Sequence, residues 1–397
     1  MVMFADQHAE TSGGAQVAMR LQRKFLERAG HTVTIVAPKR HGRHLANMHD
    51  EAYVDVPSMP VPSDPEYSFV WPGKRAMRAV ERGLAARVAR GARMPDLVHV
   101  QADYWGAFLG YSFAERLRIP VVHTMHNRVD VGIAATAPYP HVVLAALNMW
   151  RRRAMPGSGS GSDGWAYLRG LAARAAAVTA PSQHFARRLE RNGVCDDVDV
   201  IWNGIDDDVL RDLEDPPVSG ALIWVGRMSA EKRLLPFLRA YAVSGIDLPV
   251  EIIGAGFERK AAEKFVAARG MEERVRFLGR LSYRETLARI RAAAALVQTS
   301  IGFETQGMTP FEAAQLGTPS IVSDLDIADE MGGGVWRVSS APTETGRIRA
   351  LATALRDVER DLREGDVPQP SPRVREEFVQ SSRTAAMVDV YRRVLGA

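Results

Sequence analysis

In the stretch 302–317, GFETQGMTPFEAAQLG, Glu304 and Glu312 are separated by seven residues, with Gly307, Met308, Thr309 and Pro310 between them. Two carboxylates so placed can accept hydrogen bonds from the hydroxyls of a sugar. Thr309 suits a helix N-cap, Pro310 the first helical position, and Glu312 three residues past Thr309 completes a capping box. Gly317 is placed to end that helix in a left-handed conformation before the next apolar run, TPSIVSD. The amides of 307–309 then point out from a helix N-terminus, which attracts phosphate. The composite is a site for a sugar attached to a phosphate. Taken alone, the two acids are better explained as a capping partner and a solvated loop acid. Residues elsewhere have to reverse that order.

Arg227 and Lys232 do so. Arg227 closes the apolar run ALIWVGR and Lys232 opens the next helical pattern, so both fall at the carboxyl edge of a strand. There they can neutralise a diphosphate, arginine through paired hydrogen bonds and lysine as a point charge. His123 and His126 end the run IPVVHTMHN, and His126, just past the apolar residues, is the one placed to face a crevice. Gly13 and Gly14 sit where a strand–loop–helix unit brings backbone close to a phosphate or sugar, although a plain tight turn explains them as well. Gly254-Ala-Gly256 resembles a dinucleotide fingerprint, but Arg259 stands where the third glycine belongs, so NAD is rejected. The triple Asp206–Asp208 reads as a turn and helix start, and no metal is expected.

The elements that carry these residues alternate. MVMFADQ, HTVTIVAP, DLVHVQAD, IPVVHTMHN and AAVTAPS are strand-like runs separated by helical patterns, and ALIWVGRM, PVEIIGAG, VRFLGRL and ALVQTS repeat the scheme. Such alternation specifies parallel, doubly wound sheets. At 397 residues two domains are expected: 1–205, a linker 206–219, 220–373, and a terminal amphipathic helix in 374–397. Residues 41–73 are proline-rich and read as an irregular excursion. GSGSGS at 157–162 has the composition of a flexible linker or an engineered loop replacement and is set aside from the fold. Residues 74–93 form a helix with Met77, Val80, Leu84 and Val88 on one face and Arg75, Arg78, Arg82, Arg90 and Arg93 on the other. That face is either simply solvated or docks on anionic lipid headgroups, at up to ~1 kcal/mol per basic residue near the surface. The segment 138–153, with Trp150 and Arg151–Arg153, reads either as interfacial or as a core helix with a basic end.

Composition narrows the class. Hydrophobic residues make up 46% and charged residues 25% of the chain, ordinary for a globular protein. No apolar run approaches a membrane span, and no secretory leader pattern opens the chain. The single cysteine, Cys195, leaves no internal disulfide and fits a reducing cytoplasm. The net charge of +4 is weak evidence for an anionic partner. Nucleic acid is not expected, because basic–aromatic interleaving and paired C-x2-C spacing are both missing.

Taken in order, GGAQ, VHVQAD, HTMHN, APS, VIWNGID, VGRMSAEKR, IIGAG and the Glu-x7-Glu stretch resemble the retaining glycosyltransferases of family 4 over nearly the whole chain. That resemblance implies the GT-B architecture, two facing Rossmann-like domains with a cleft between them, the last helix crossing back to the first domain. It implies that Glu304 contacts the donor sugar and Glu312 the ribose. Arg227 and Lys232 would hold the diphosphate with the amides of Met308 and Thr309, next to Gly307. Gly14 would let the first domain close on the donor, and His126 would bond the sugar at the reacting centre. Trp202 stands where members often have proline, and Gln101 where they often have a second histidine. The form ETQGMT is similar to glycosyltransferases that act on diacylglycerol or other lipids.

The expected activity is therefore metal-independent, retaining transfer of a glucose- or mannose-type hexose from a UDP- or GDP-sugar to an acceptor hydroxyl. The acceptor is expected to be a membrane lipid or glycolipid, met in the cytoplasm or at the cytoplasmic face of the membrane through the helix 74–93. The competing readings are a disaccharide phosphorylase or sugar-nucleotide epimerase on the same fold, and a non-catalytic nucleotide-sugar-binding module.

Overall fold

The computed structural model describes residues 1–11, 13–41, 50–61, 64–214 and 216–396, without the side chains of 64–66, 135 and 136. Contacts divide the chain into two units, Met1–Gly204 with Gln380–Ala397, and Ile205–Val379.

In the first unit the strands are β1 (Val2–Ala5), β2 (Thr34–Pro38), β3 (Tyr53–Val56), β4 (Met59–Val61), β5 (Asp64–Phe69), β6 (Val98–Gln101), β7 (Val121–Thr124), β8 (Ala177–Ala180) and β9 (Asp199–Val200). Seven of them form one sheet in the order β3-β2-β1-β6-β7-β8-β9, with every pair parallel. The sequence explains why. VMFA, VHVQ and VVHT are buried at every position, as strands covered on both faces must be. Alternate side chains leave a strand on opposite faces, and β1 obeys that rule. Val2 and Phe4 join one core with Val98, Phe108 and Tyr111. Met3 and Ala5 join another with Met19, Leu26, Ile35, Met387 and Tyr391. The second core is completed by the terminal helix Gln380–Leu395, which packs on the helix Gly14–Arg28.

In the second unit the strands are β10 (Leu222–Val225), β11 (Val250–Ile253), β12 (Val275–Gly279), β13 (Ala295–Gln298), β14 (Ser320–Val322) and β15 (Val335–Arg337). They pair in parallel in the order β12-β11-β10-β13-β14-β15. Leu222, Trp224, Val250, Ile252 and Val297 share a core with Phe237, Leu238, Tyr241, Leu351 and Leu355. The last two lie on the helix Glu344–Glu364, which packs against Leu234–Ser244. In this unit Gly254 and Gly256 serve packing. A Cβ at Gly254 would stand 1.9 Å from the Gly226 carbonyl oxygen, and one at Gly256 2.3 Å from that of Met228.

Three sequence expectations are corrected. The excursion 41–73 is not irregular where it is described: β3 extends the sheet and β4–β5 form an antiparallel hairpin. Pro60 and Pro65 hid it, because proline is expected only at the edge of a sheet, and a two-stranded hairpin is all edge. The basic helix ends at Ala89, before Arg90 and Arg93. Arg151 is not part of an exposed basic end. It is fully buried, and its guanidinium donates to the Ser158 carbonyl, to Ser158 Oγ at 2.8 Å and to the Gly159 carbonyl at 3.2 Å. The GSGSGS segment is thus tied down by a buried cation that its own carbonyls and hydroxyl solvate, together with Asn148 Oδ1 at 3.3 Å.

Because the Gly254 backbone is also left-handed at φ 131°, Gly254→Ala meets both strain and collision. Chemical denaturation should show a loss of about 2 kcal/mol or more. Wild-type stability would mean that the 226–228 turn yields, and that the close approach is not required.

Candidate active site

In both sheets the first strand pairs with the fourth of its series: β10 with β13, and β1 with β6. Ligands of open parallel sheets bind beyond the carboxyl ends of strands at such a switch point. The segments leaving these strands carry most of the residues singled out above.

In the second unit, residues 226–232 follow β10 and residues 299–307 follow β13. Lys232 ends the short 3-10 turn Ala230–Lys232, and its carbonyl is held by Thr299 Oγ1 at 2.6 Å, which in turn accepts from Trp224 Nε1 at 3.0 Å. So anchored, Lys232 Nζ stands 2.5 Å from Glu304 Oε1, which also accepts from Ser300 Oγ at 2.7 Å. Burial alone would push the Glu304 carboxyl up. Lys232, Ser300 and the charge of Arg227 together hold it below the ordinary carboxylate value. The Arg227 guanidinium is 56% exposed and lies 3.3 Å from Glu231 Oε1. Lys232 and Glu304 thus form an ion pair on which the charge of Arg227 also acts.

The helix Met308–Gln315 begins two residues earlier than the sequence suggests, which corrects the capping box. Its N-cap is Gly307, left-handed at φ 77°, and no side chain caps it. Thr309 lies inside the first turn, and Pro310 is the third helical residue, where its missing N–H is still one without an intrahelical partner. The first-turn amides of Met308 and Thr309 are therefore left without a side-chain cap. Gly317 does end the helix left-handed, at φ 83°, with Thr318 N donating to the Ala313 carbonyl at 2.8 Å. The chain does have a capping box, at Ser282 and Glu285. Glu312, freed from capping, accepts from the Tyr283 hydroxyl at 3.0 Å. Burial raises its carboxyl to about 7, and the Tyr283 bond offsets only part of that.

In the first unit Asp6 follows β1 and Asp103 follows β6. Asp6 accepts from the amides of Asp103 (2.7 Å), Tyr104 (3.0 Å) and Gly106 (2.9 Å), so it caps the helix Trp105–Leu117 from a different strand. Burial raises its carboxyl to about 7, with Asp103 adding to the shift and the three amides opposing it. Asp103 Oδ2 accepts from the amides of His126 (3.1 Å) and Asn127 (2.9 Å) and from Asn127 Nδ2 (2.7 Å). His126 is placed by that turn, and burial lowers its ring to about 4. His123 is fully buried between Tyr111 and the Ala102 carbonyl. Gly14 is the exposed first residue of the helix Gly14–Arg28.

Asp6, Asp103, Tyr283 and Ser300 were not singled out in the sequence. Asp6 and Asp103 had a signal, since each is an acid just past an apolar strand. Tyr283 had none, because its partner lies 29 residues away. Asp206 caps the helix Asp207–Arg211, as the turn reading of the Asp triple required. Among the described residues no group of three or more His, Cys, Asp or Glu could hold a metal ion, and no helix is long and apolar enough to cross a membrane.

Residues 12–209 match the model described as Glycosyltransferase Family 4, and residues 213–339 that described as Glycosyl transferases group 1. The chain is 26% identical over 342 residues to the alpha-monoglucosyldiacylglycerol synthase of Streptococcus pneumoniae, spanning 80% of this chain and 70% of that one. It is 23% identical over 345 residues to the alpha-D-kanosaminyltransferase of Streptomyces kanamyceticus, spanning 85% and 88%. Among solved structures it is similar to Anabaena HepE in complex with UDP and glucose, with a TM-score of 0.65, 16% identity and 99% of both chains covered.

Glu312 supplies a test of the site's electrostatics. Between its ordinary value of 4.5 and about 7 the folded protein keeps a proton that the unfolded chain has lost. Stability therefore falls as pH rises through that window, by an amount on the order of 3 kcal/mol for this group. Glu312→Gln keeps the Tyr283 bond and removes the titration. Relative to wild type it should gain stability steadily from pH 4.5 to 7 in denaturant titrations. Parallel stability curves would refute the assignment.

Proposed function

The chain belongs to the family 4 glycosyltransferases and has the GT-B fold, and from that premise we propose that it transfers a hexose, glucose or mannose in type, from a nucleoside diphosphate sugar to an acceptor hydroxyl with retention of configuration. The observation that carries this reading is the contact between Lys232 and Glu304 at 2.5 Å, with the charge of Arg227 acting on the same carboxylate. A cation for the diphosphate and a carboxylate for the sugar hydroxyls are already adjacent. On donor binding the diphosphate takes up Lys232 and Arg227, together with the first-turn amides of Met308 and Thr309, and Glu304 turns to the sugar. These fixed charges and dipoles stabilise the departing diphosphate as its negative charge grows. They supply that charge from the protein, so the reading calls for no metal. Glu312 receives the ribose, and His126 a hydroxyl near the reacting carbon. The acceptor oxygen bonds to that carbon on the face the phosphate leaves, and the departing phosphate oxygen takes the acceptor's proton.

We further propose a lipid acceptor, met at an anionic membrane surface. The relative named for monoglucosyldiacylglycerol supports this, and so does the surface of the first unit. Trp71, 68% exposed, leads into the helix Lys74–Ala89 and stacks on Trp150 with ring centroids 5.4 Å apart. Trp150 lies on the helix Pro140–Ala154, which also exposes Val142 and Met149. Arg75, Arg78 and Arg82 are exposed on the helix that follows Trp71. Exposed apolar side chains and arginines in one region suit a headgroup boundary.

Incubation with UDP- and GDP-sugars and with lipid and soluble acceptors, read by mass spectrometry, decides both points. Arg227→Ala and Lys232→Ala should each lower kcat/KM by about 100-fold or more; wild-type rates in both would sink the assignment, and products on soluble acceptors alone would remove the lipid reading. In flotation with vesicles containing anionic lipid, Trp71→Ala combined with Arg75→Glu, Arg78→Glu and Arg82→Glu should abolish membrane association. Undiminished flotation of that variant would place the docking surface elsewhere.

A further inference from the structure

Behind His126 the first unit holds a connected line of buried polar side chains. The Tyr391 hydroxyl, on the terminal helix, lies 2.7 Å from His99 Nδ1 and accepts from Gln22 Nε2 at 3.2 Å. Gln101 Nε2 donates to Gln22 Oε1 and lies 3.4 Å from His99 Nδ1. Gln101 Oε1 lies 3.4 Å from His126 Nε2. At the other side His99 Nε2 meets Thr124 Oγ1 at 2.7 Å, and Thr124 Oγ1 meets Thr179 Oγ1 at 2.6 Å. Gln22, His99, Gln101, Thr124, Thr179 and Tyr391 are all buried.

In such surroundings a donor or acceptor left unmet is costly, so each group's orientation fixes the next. An amide has two different ends. With Gln101 Nε2 turned to Gln22 Oε1, the end facing His126 is an oxygen, which only accepts. His126 Nε2 must then carry the ring proton, and Nδ1 keeps the lone pair. The same direction runs through the rest of the line: Gln22 donates to Tyr391, Tyr391 to His99 Nδ1, and His99 Nε2 to Thr124.

We infer that Gln101, Gln22 and Tyr391 are positioning residues that fix His126 in the Nε2–H tautomer, leaving Nδ1 as its acceptor. Burial, which keeps the ring neutral at neutral pH, makes that tautomer a standing property of the folded protein. Its consequence rests on the reading that His126 meets the donor sugar: the ring then takes a hydrogen bond from a sugar hydroxyl and does not offer one. The reversed line, with both amides turned over and protons on Nδ1 of both His99 and His126, also satisfies every group. The two directions differ in an observable.

Nitrogen-15 NMR of the full chain, labelled at histidine and recorded at pH 7.5, reads the proton's position directly, with His126 assigned through a His126→Gln variant. The wild type should show a protonated Nε2 and an unprotonated Nδ1. Tyr391→Phe, which keeps the ring's shape and removes its hydroxyl, should move both His126 nitrogens towards an average of the two tautomers. A wild-type His126 protonated on Nδ1 overturns the inference, and so do His126 nitrogens unmoved in Tyr391→Phe. Neither reading depends on turnover. A failure of the transferase assignment would appear separately, as wild-type protein with the expected His126 spectrum and no product from any donor.

Discussion

The pairing of the first strand with the fourth, once in each sheet, is the constraint on which the site depends. Right-handed crossovers send the chain away from two such neighbours in opposite directions, which leaves the carboxyl edge between them uncovered. The register Leu222↔Ala295 and Ile223↔Leu296 then sets the segments after β10 and β13 side by side. Lys232 and Glu304 meet there although 72 residues separate them. The register Ala5↔Gln101 does the same for Asp6 and the turn at 103–106. One topological rule, used twice, gives two edges of different character. The second unit fills its edge with cations and an uncapped helix start. The first fills its own with the carboxylates of Asp6 and Asp103, each of which accepts from backbone amides.

Three carboxylates at these edges show how local surroundings divide a common residue type into different chemical states. Glu304, Glu312 and Asp6 all lose solvation on folding, which alone favours the neutral acid. Glu304 is kept ionised by an ammonium group at 2.5 Å with arginine nearby. Asp6 has three amides and Glu312 one hydroxyl, and both stay raised to about 7 because Asp103 adds to the burial of the first and the single bond is too weak for the second. A neutral donor stabilises a carboxylate less than a full charge at similar distance. Glu304 alone of the three is therefore ionised well below neutral pH, as an acceptor of several sugar hydroxyls needs to be.

What the sequence made legible follows the range of the interactions involved. Strands buried on both faces, such as VMFA and LIWV, announce themselves through unbroken apolar runs, and their alternation with helices places Arg227, Lys232, Glu304 and His126 at strand ends. The Gly317 helix stop is equally local. The capping box at Thr309 failed because the same residues are equally compatible with a helix starting two residues earlier, and the choice falls to the left-handed Gly307 packed on Ile327. Arg151 looked exposed because arginine usually is, and its burial comes from Gly170, whose missing side chain makes room for the guanidinium. Tyr283 with Glu312, and Gln22 with Tyr391 across 369 residues, are tertiary contacts that no local pattern encodes.

The line of buried side chains behind His126 is hard to explain by stability. Apolar residues of similar volume in place of Gln22, His99, Gln101 and Tyr391 would need no mutual alignment, and a buried polar network gains little over a well-packed apolar core even when every member is satisfied. Of its members only the end at His126 leaves the core, so a reason for keeping the line polar has to lie there. Gln101, where the resembling family often carries a histidine, sharpens the point. A neutral imidazole exchanges its donor and acceptor nitrogens by moving a proton, with the ring in place. An amide must turn over, and at Gln101 that would require Gln22 to turn as well and Tyr391 and His99 to reverse their bond. Glutamine at this position therefore makes the direction of the line harder to reverse, and passes that fixed direction to the His126 ring at the carboxyl edge.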